Sequence, residues 1–451
     1  MLNRLMQGGI FLHAFLRTRY GFRFRNRAAL EAWQQQRVQH FLQRCAKRIP
    51  FYRRYAGQAL QNWPTMQKTL MQQHFSELNQ AGISLQQAQQ FGLAAEKQRA
   101  FSAPLQPGIA VGLSSGTSGQ RGVFLVSDQE RARWAGVILA RVLKPAHLKQ
   151  LLNPFASPLS VAFLLRANSK LYTTIHNARL HFHYGDLQQS LSALMNWLQG
   201  IQPQILIAPA SVLAAIARAK IAGELHIRPQ QVISVAEVLE ADDQLLIQQA
   251  WQQKTEQIYQ CTEGLLAYTC EHGQLHLNEE WLHIQAQWID DARFTPEITD
   301  FGRETQAFVR YRLDDVLRVS HSACNCGRHS RVLSAIEGRQ DDVLWLAPVS
   351  KSAMQPVFPD KLRHLMMQLQ PAPEDYRIEQ HGMIWLIRLQ AATSASPETV
   401  GALQHQTATA LFSLCLQQEL QPPELRFAGW EAFAAGQKRR RIRCVQSPNK
   451  E

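Results

Sequence analysis

Ser114-Ser115-Gly116-Thr117-Ser118-Gly119-Gln120-Arg121-Gly122 separates two short apolar runs, Ile109 to Leu113 and Val123 to Val126. Such runs bounded by glycine and serine read as strands, so the stretch between them reads as a loop joining two strands. Its glycines let the backbone approach an anion, its hydroxyls and N–H groups donate hydrogen bonds, and Arg121 adds positive charge. That composition suits the phosphates of a nucleotide. Gly112-Leu113-Ser114-Ser115-Gly116 also fits the G-x-S-x-G pattern, in which Ser114 would be a hydrolase nucleophile. Such an elbow leads from a strand straight into a helix, whereas a strand-like run follows here. A plain Gly/Ser-rich surface loop is the third reading. No G-x-x-x-x-G-K-[ST] sequence occurs, which excludes the common P-loop.

Outward from the loop, strands and helices alternate. Ser160 to Leu165, Gln204 to Ala208, Gln231 to Val235 and Glu256 to Tyr259 are strand-like; Leu187 to Leu198, Ser211 to Ala222 and Asp242 to Gln253 are helix-like. This alternation predicts an α/β fold with a largely parallel or mixed sheet. Past residue 270 the pattern is β-rich, with Leu275 to Leu277, Leu282 to Ile289, Ala307 to Tyr311 and Val316 to Val319. Beyond Gly338, a hairpin (Tyr376 to Gln380, Met383 to Leu389), a helix-like stretch from Pro397 to Leu420 and a strand at Glu424 to Phe427 predict a small α+β domain. Before the loop, Leu30, Trp33, Val38, Phe41, Leu42 and Cys45 recur at helical spacing until Pro50. The expected organisation is a helical extension over 1–60, a large core over 61–339 and a small C-terminal domain over 340–451.

At 451 residues the chain exceeds one typical core, and 45% hydrophobic content describes a folded protein. Gly9 to Leu16 is far shorter than the roughly 20 residues that span a bilayer, and it lacks a small-residue cleavage site. The expectation is a cytoplasmic enzyme with no integral membrane association. Seven irregularly spaced cysteines do not form a disulfide framework. The net charge of +13 suits an anionic partner, with basic concentrations at Arg17 to Arg27 and at Lys438 to Arg443. Nucleic acid, CoA phosphates and an acidic carrier protein all satisfy charge alone.

Four later segments lie at or just past expected strand ends, where open α/β sheets bind ligands. They are Ser234-Val235-Ala236-Glu237-Val238-Leu239, Tyr259-Gln260-Cys261-Thr262-Glu263-Gly264, Arg310-Tyr311-Arg312-Leu313-Asp314-Asp315 and Ile336-Glu337-Gly338-Arg339-Gln340-Asp341-Asp342. With the loop, and in this order, they resemble the motifs of the adenylate-forming superfamily of acyl-CoA and aryl-CoA ligases. They are most similar to the branch of phenylacetate-CoA ligases and the related enzymes that adenylylate a deazaflavin coenzyme. Neither a serine hydrolase nor a nucleic-acid-binding module explains these four segments, and no nucleic acid is expected.

The resemblance implies a large adenylating domain and a small, mobile C-terminal domain. It also implies attack of a carboxylate on the α-phosphate of ATP, giving an acyl adenylate and pyrophosphate, usually followed by thioester formation. Carried over by position, Ser114, Ser115, Gly116, Thr117, Ser118, Gly119, Arg121 and Gly122 would hold the β- and γ-phosphates. Glu263 would bind Mg²⁺ and Thr262 would lie at the α-phosphate. Ala236 and Glu237 match the loop lining adenine, Tyr259 the ring stacked on it, and Asp315 the carboxylate that binds the ribose. Arg339 would reach the phosphates and Asp341 would be the hinge pivot. Lys438, in Gly436-Gln437-Lys438-Arg439, is the candidate catalytic lysine, against a plainer reading as one member of a basic tail. The chain departs from the superfamily pattern in Arg121-Gly122, where many members have Pro-Lys, and in Asp314, where a glycine is usual.

Cys270-x5-His276 and Cys324-x-Cys326 supply the ligand types of a Cys3His structural zinc site, with buried free cysteines as the plainer reading. Zinc there would staple the segment carrying Glu263 to that carrying Asp315. The acceptor after adenylation stays open between CoA, a carrier-protein thiol and none, and a phenolic hydroxyl could replace the carboxylate. Substrate choice is expected to depend on residues near Tyr172 to His183 and Cys261 to Tyr268. The oligomeric state is open.

Overall fold

The computed structural model describes residues 2–98, 104–113, 122–165, 178–350, 353–392, 395–433 and 439–448. The chain divides into two compact units, Met1–Leu313 with Arg318–Ser334, and Asp314–Leu317 with Ala335–Glu451.

The first unit holds most of a twelve-stranded sheet. One half is parallel: Leu180–Asp186, Leu159–Leu165, Ile205–Ala208, Gln231–Val235 and Glu256–Cys261 lie side by side in that order. Ile205–Ala208 and Gln231–Val235 are buried along their whole length, as strands covered on both faces must be. Alternate side chains explain the two layers. Val161, Phe163, Ile207 and Ile233 pack on one face with Val137 and Ile138 of helix Asp128–Val142. Ala162, Leu164, Leu206 and Val232 pack on the other with Leu198, Leu213, Ile216 and Ile247 from the connecting helices Leu191–Ile201, Ala210–Ile221 and Ala241–Trp251.

Beyond Glu256–Cys261 the sheet turns antiparallel, through Gly264–Thr269 and Leu275–Leu277 to Val332–Arg339, which enters the second unit at Ala335. The hairpin of Leu282–Trp288 with Arg293–Asp300 lies at that end of the sheet. Against this sheet sit the helices Leu2–Leu16, carrying Ala14, and Arg27–Arg48, which Asn26 caps by accepting the Ala29 N–H.

The second unit has a four-stranded sheet in the order Glu424–Ala428, Ile384–Gln390, Asp375–His381, Ile442–Gln446. Its middle hairpin turns at Gly382 (φ 62). Trp385, Ile378, Ile387, Leu403 and Leu411 form its core with the helices Pro359–Gln368 and Pro397–Gln417. The α/β class with a smaller α+β unit is thus as read from the sequence.

Two elements differ. Ala307, Phe308 and Val309 are buried, but only Tyr311–Arg312 forms a strand, because Arg310 adopts a left-handed backbone (φ 48) that breaks the extension. The helix expected from Leu187 starts at Leu191. Asp186 first makes a turn by accepting the Gln188 N–H, and Ser190 then caps the helix. Among the described residues no helix is long and apolar enough to cross a membrane.

Candidate functional site

Ile109–Leu113 and Val123–Ser127 pair antiparallel, with Leu113 opposite Val123. The glycine-rich loop is therefore the connection of a hairpin. Ser114, Ser115, Gly116, Thr117, Ser118, Gly119 and Arg121 lie outside the described residues, and Gly122 leads into the second strand. Where the chain is described again it forms a strand, Val123–Ser127, and Ser114, the nucleophile of the G-x-S-x-G reading, lies outside the described residues. Gly112 has a packing reason instead: a Cβ there would lie 2.0 Å from the Phe124 ring on the facing strand.

The second strand of the hairpin is fixed to the 300–306 segment. Ser127 and Glu130 form a capping box at the start of the helix that follows. Buried Glu130 also accepts the backbone N–H groups of Glu304 (2.6 Å) and Thr305 (2.8 Å). Gln306 Oε1 accepts the Leu125 N–H at 2.9 Å.

Thr262 and Glu263 form the two-residue turn between Glu256–Cys261 and Gly264–Thr269, where the sheet changes from parallel to antiparallel. Thr262 Oγ1 donates to Glu263 Oε2 at 2.7 Å, which orients a half-buried carboxylate. Arg303 supports the turn: Nη1 donates to the Thr262 carbonyl at 2.9 Å and Nη2 to the Leu125 carbonyl at 3.0 Å. Its guanidinium carbon lies 4.8 Å from the Phe308 ring centroid and 5.6 Å from that of Phe124. One side chain thus ties the turn to the strand that follows the glycine-rich loop. Sequence reasoning missed it, because Arg303 belongs to none of the recognisable motifs. A Cβ on Gly264 would lie 2.9 Å from Leu282 Cδ2 and 3.1 Å from Asp300 Oδ2, so the glycine admits the Asp300 carboxyl next to the turn. Burial pushes that carboxyl up to about 6, against the opposing pull of Arg303 and the Gly302 N–H.

Val235 and Ile258 are partners in the parallel ladder, so Ala236, just past the end of one strand, and Tyr259, within the next, fall at one level. Ala236 is exposed and has φ 65, an unusual backbone for a residue with a Cβ. Glu237 Oε2 accepts the Ser211 N–H at 2.9 Å, at the start of helix Ala210–Ile221, where the helix dipole favours negative charge. Glu237 therefore anchors its loop to that helix.

Asp315, Arg339 and Asp341 come together in the second unit. Arg339 Nε lies 3.8 Å from Asp315 Oδ1, and the Gln340 N–H donates to the Asp314 carbonyl at 2.7 Å. The left-handed residue of the Arg310 to Asp315 motif is Arg310, so Asp314 in place of a glycine demands no strained backbone. Gly338 has φ 116, and a Cβ there would lie 2.7 Å from Asp342 Oδ2. That glycine lets Asp342 fold back to accept the Arg339 N–H at 2.8 Å. Arg440 closes on the same place, with Nη2 2.9 Å from Asp341 Oδ1 and Nε donating to Asp342 Oδ1 at 2.8 Å. Burial pushes the Asp342 carboxyl up and Arg440 opposes the shift. Arg441 is buried and donates to Asp375 at 2.6 Å. These arginines of the basic run have carboxylate partners, which the sequence did not reveal; Lys438 lies outside the described residues.

Cys270, His276, Cys324 and Cys326 converge, with one ligand atom from each within 4.8 Å of the others. Cys270 Sγ is 3.6 Å from Cys324 Sγ, and Cys326 Sγ is 3.3 Å from His276 Nε2. His276 Nδ1 faces the Ser330 carbonyl (3.3 Å) and hydroxyl (3.1 Å). Donation from Nδ1–H to that carbonyl turns the Nε2 lone pair toward the thiols, the tautomer a metal needs. Burial, aided by Arg328, pushes the imidazole down to about 4 and keeps it neutral. Burial also pushes the Cys324 thiol up to about 12, a shift that a bound cation reverses.

No protein-family model and no curated protein matches this chain. Solved structures do. One is 2-hydroxyisobutyryl-CoA ligase in the postadenylation state with 2-HIB-AMP, at TM-score 0.64 and 16% identity over 96% of this chain and 91% of that one. Another is an open conformation of that ligase with 2-HIB-AMP and CoA, at TM-score 0.55 and 15% identity over 94% of this chain and 93% of that one. At such identity the likeness establishes the fold, a large mixed-sheet α/β unit with a smaller α+β unit.

Proposed function

We propose that this chain is an ATP-dependent adenylate-forming ligase that activates an aryl or acyl carboxylic acid as its acyl adenylate and transfers the acyl group to the thiol of CoA or a carrier protein. The observation that supports this best is the meeting of the Thr262-Glu263 turn with the hairpin that carries the glycine-rich loop, joined by Arg303, with Ala236 and Tyr259 at one level of the two neighbouring strands. In the first step a carboxylate oxygen bonds to the α-phosphorus as the bond to the bridging oxygen breaks and pyrophosphate leaves. Such transfer depends on positioning and charge neutralisation more than on covalent help from the protein.

In this reading Ser114 to Gly122 cradle the β- and γ-phosphates, Thr262 lies at the α-phosphate, Ala236 and Tyr259 line the base, and Asp315 takes the ribose hydroxyls. The Glu263 carboxylate, oriented by Thr262, fits a Mg²⁺ ion, which neutralises phosphate charge when bound. Arg339 and Lys438 are the second unit's cationic contributors and Asp341 its pivot. Cys324-Asn325-Cys326-Gly327-Arg328 and the Arg121-Gly122 loop end favour the phenylacetate-CoA ligase branch. The Cys3His cluster fits a structural zinc ion, and metal analysis of the purified protein should give one zinc per chain, lost in Cys324→Ser/Cys326→Ser. The expected location is the cytoplasm.

The test is ATP-pyrophosphate exchange with Mg²⁺ across a panel of aryl and aliphatic acids and phenols. One acid class should stimulate exchange, and Glu263→Ala should lower it at least about 100-fold by removing charge stabilisation at the phosphates. Stimulation by phenols alone would replace the acid with a hydroxyl acceptor. Absence of both exchange and ATP binding in folded protein would refute the reading.

A further inference from the structure

Among the described residues, the outward face of helix Leu2–Leu16 is apolar and nothing covers it. Leu5, Leu12 and Leu16 are 67%, 53% and 46% exposed, and Tyr20 in the turn that follows is 54% exposed. At about 100° per residue, Leu5, Gly9, Leu12 and Leu16 fall in a stripe about 60° wide. The helix cannot roll this stripe inward, because its other side is already docked. A Cβ on Gly136 would lie 2.4 Å from the Phe11 carbonyl, Ala14 is buried, and just past the helix Thr18 Oγ1 accepts from Trp281 Nε1 at 2.9 Å. A cleft of about 330 Å³ continues the apolar surface, sharing Met6, Gly9 and His13 with the helix and ending on Arg133 and Trp281.

Charge points to the partner. Residues 1–30 hold six arginines and no acidic residue. Arg19 and Arg27 are engaged, with the Leu143 carbonyl and Glu279 respectively, whereas Arg23 and Arg25 are exposed. Between Leu5 and Leu16 the stripe offers no side-chain hydrogen-bonding group, whereas a specific protein interface carries about one hydrogen bond per 100–200 Å². Leucines and one glycine along one stripe, a tyrosine at its end and arginines beyond suit the boundary between lipid tails and anionic headgroups.

We propose that this helix seats the protein peripherally on an anionic lipid bilayer, with Leu5, Leu12 and Leu16 among the acyl chains and Arg23 and Arg25 at the headgroups. The test is flotation of the full chain with vesicles of phosphatidylcholine alone or mixed with phosphatidylglycerol, with sedimentation velocity in parallel. Wild type should float with the mixed vesicles and release as salt rises. Leu12→Glu/Leu16→Glu should weaken binding at least about tenfold, and Arg23→Glu/Arg25→Glu should abolish the preference for phosphatidylglycerol. Leu191→Glu, at an exposed leucine elsewhere, should float like wild type, and unchanged thermal unfolding shows that each variant is folded. Wild type that stays unbound, or Leu12→Glu/Leu16→Glu that binds equally well, overturns the proposal. So does a dimer that this variant dissociates, since a second copy then covers the stripe.

Discussion

In the parallel half of the twelve-stranded sheet, Ile205–Ala208 and Gln231–Val235 bury mainly aliphatic side chains on both faces, whereas the antiparallel half buries His276, Glu279, Glu280, Glu297 and Asp300. The three glutamates among them are paired with arginines, two of them with a distant segment. Glu279 receives Arg27 at 2.9 Å and Arg331 at 3.1 Å, Glu280 pairs with Arg141 at 3.0 Å, and Glu297 pairs with Arg310 at 2.6 Å. Apolar layers suffice where helices cover both faces; where they do not, directional pairs and a thiol-imidazole cluster fix the chain. The Thr262-Glu263 turn lies at the seam between the halves, so its position depends on both.

The largest effect should come from the cluster. If the cluster holds the structural metal proposed above, chelation, or Cys324→Ser/Cys326→Ser, should remove several kilocalories per mole of stability, because such a site contributes folding energy outright. Hydrogen exchange should show protection lost first over 264–339 and kept over 205–235; uniform loss would erase the distinction between the halves. Leu206→Ala, at a fully buried position of the apolar half, should cost about 2–5 kcal/mol in denaturant unfolding, with no dependence on salt. Glu279→Ala, which strands two arginine partners, should cost roughly 3 kcal/mol and become more salt-sensitive. Equal salt responses in these two variants would break the comparison.

The smallest effect is that of Asp300. Its folded carboxyl sits at about 6, above an unfolded value of about 4. Between these values the folded state keeps a proton that the unfolded state has lost. This contribution to stability is therefore present at low pH, declines as pH rises through the window and is gone above it. Asp300→Asn removes that slope, so its stability relative to wild type should rise from pH 4 to pH 7 in unfolding titrations.

The same contrast explains what could be read from sequence. Gln231 to Val235 was legible because a short apolar run between helical repeats has few alternatives. Glu279, within Leu277-Asn278-Glu279-Glu280, looks like a solvated turn, because its partner Arg27 is 252 residues away. Arg303 is equally silent, since its acceptors are carbonyls of Thr262 and Leu125, which any sequence supplies. The Cys3His cluster was legible because so few residue types ligate metals, and Ala307 to Val309 misled because burial without an extended backbone is not a strand.

Acyl-adenylate formation is tested most directly by following oxygen. With the acid that stimulates exchange labelled with ¹⁸O in its carboxylate, turnover in unlabelled water should place one ¹⁸O in the phosphoryl group of the released AMP. The carboxylate oxygen that bonds to the α-phosphorus stays with it when the acyl group leaves. AMP free of label, or ADP and phosphate as products, would contradict attack of the carboxylate on the α-phosphate.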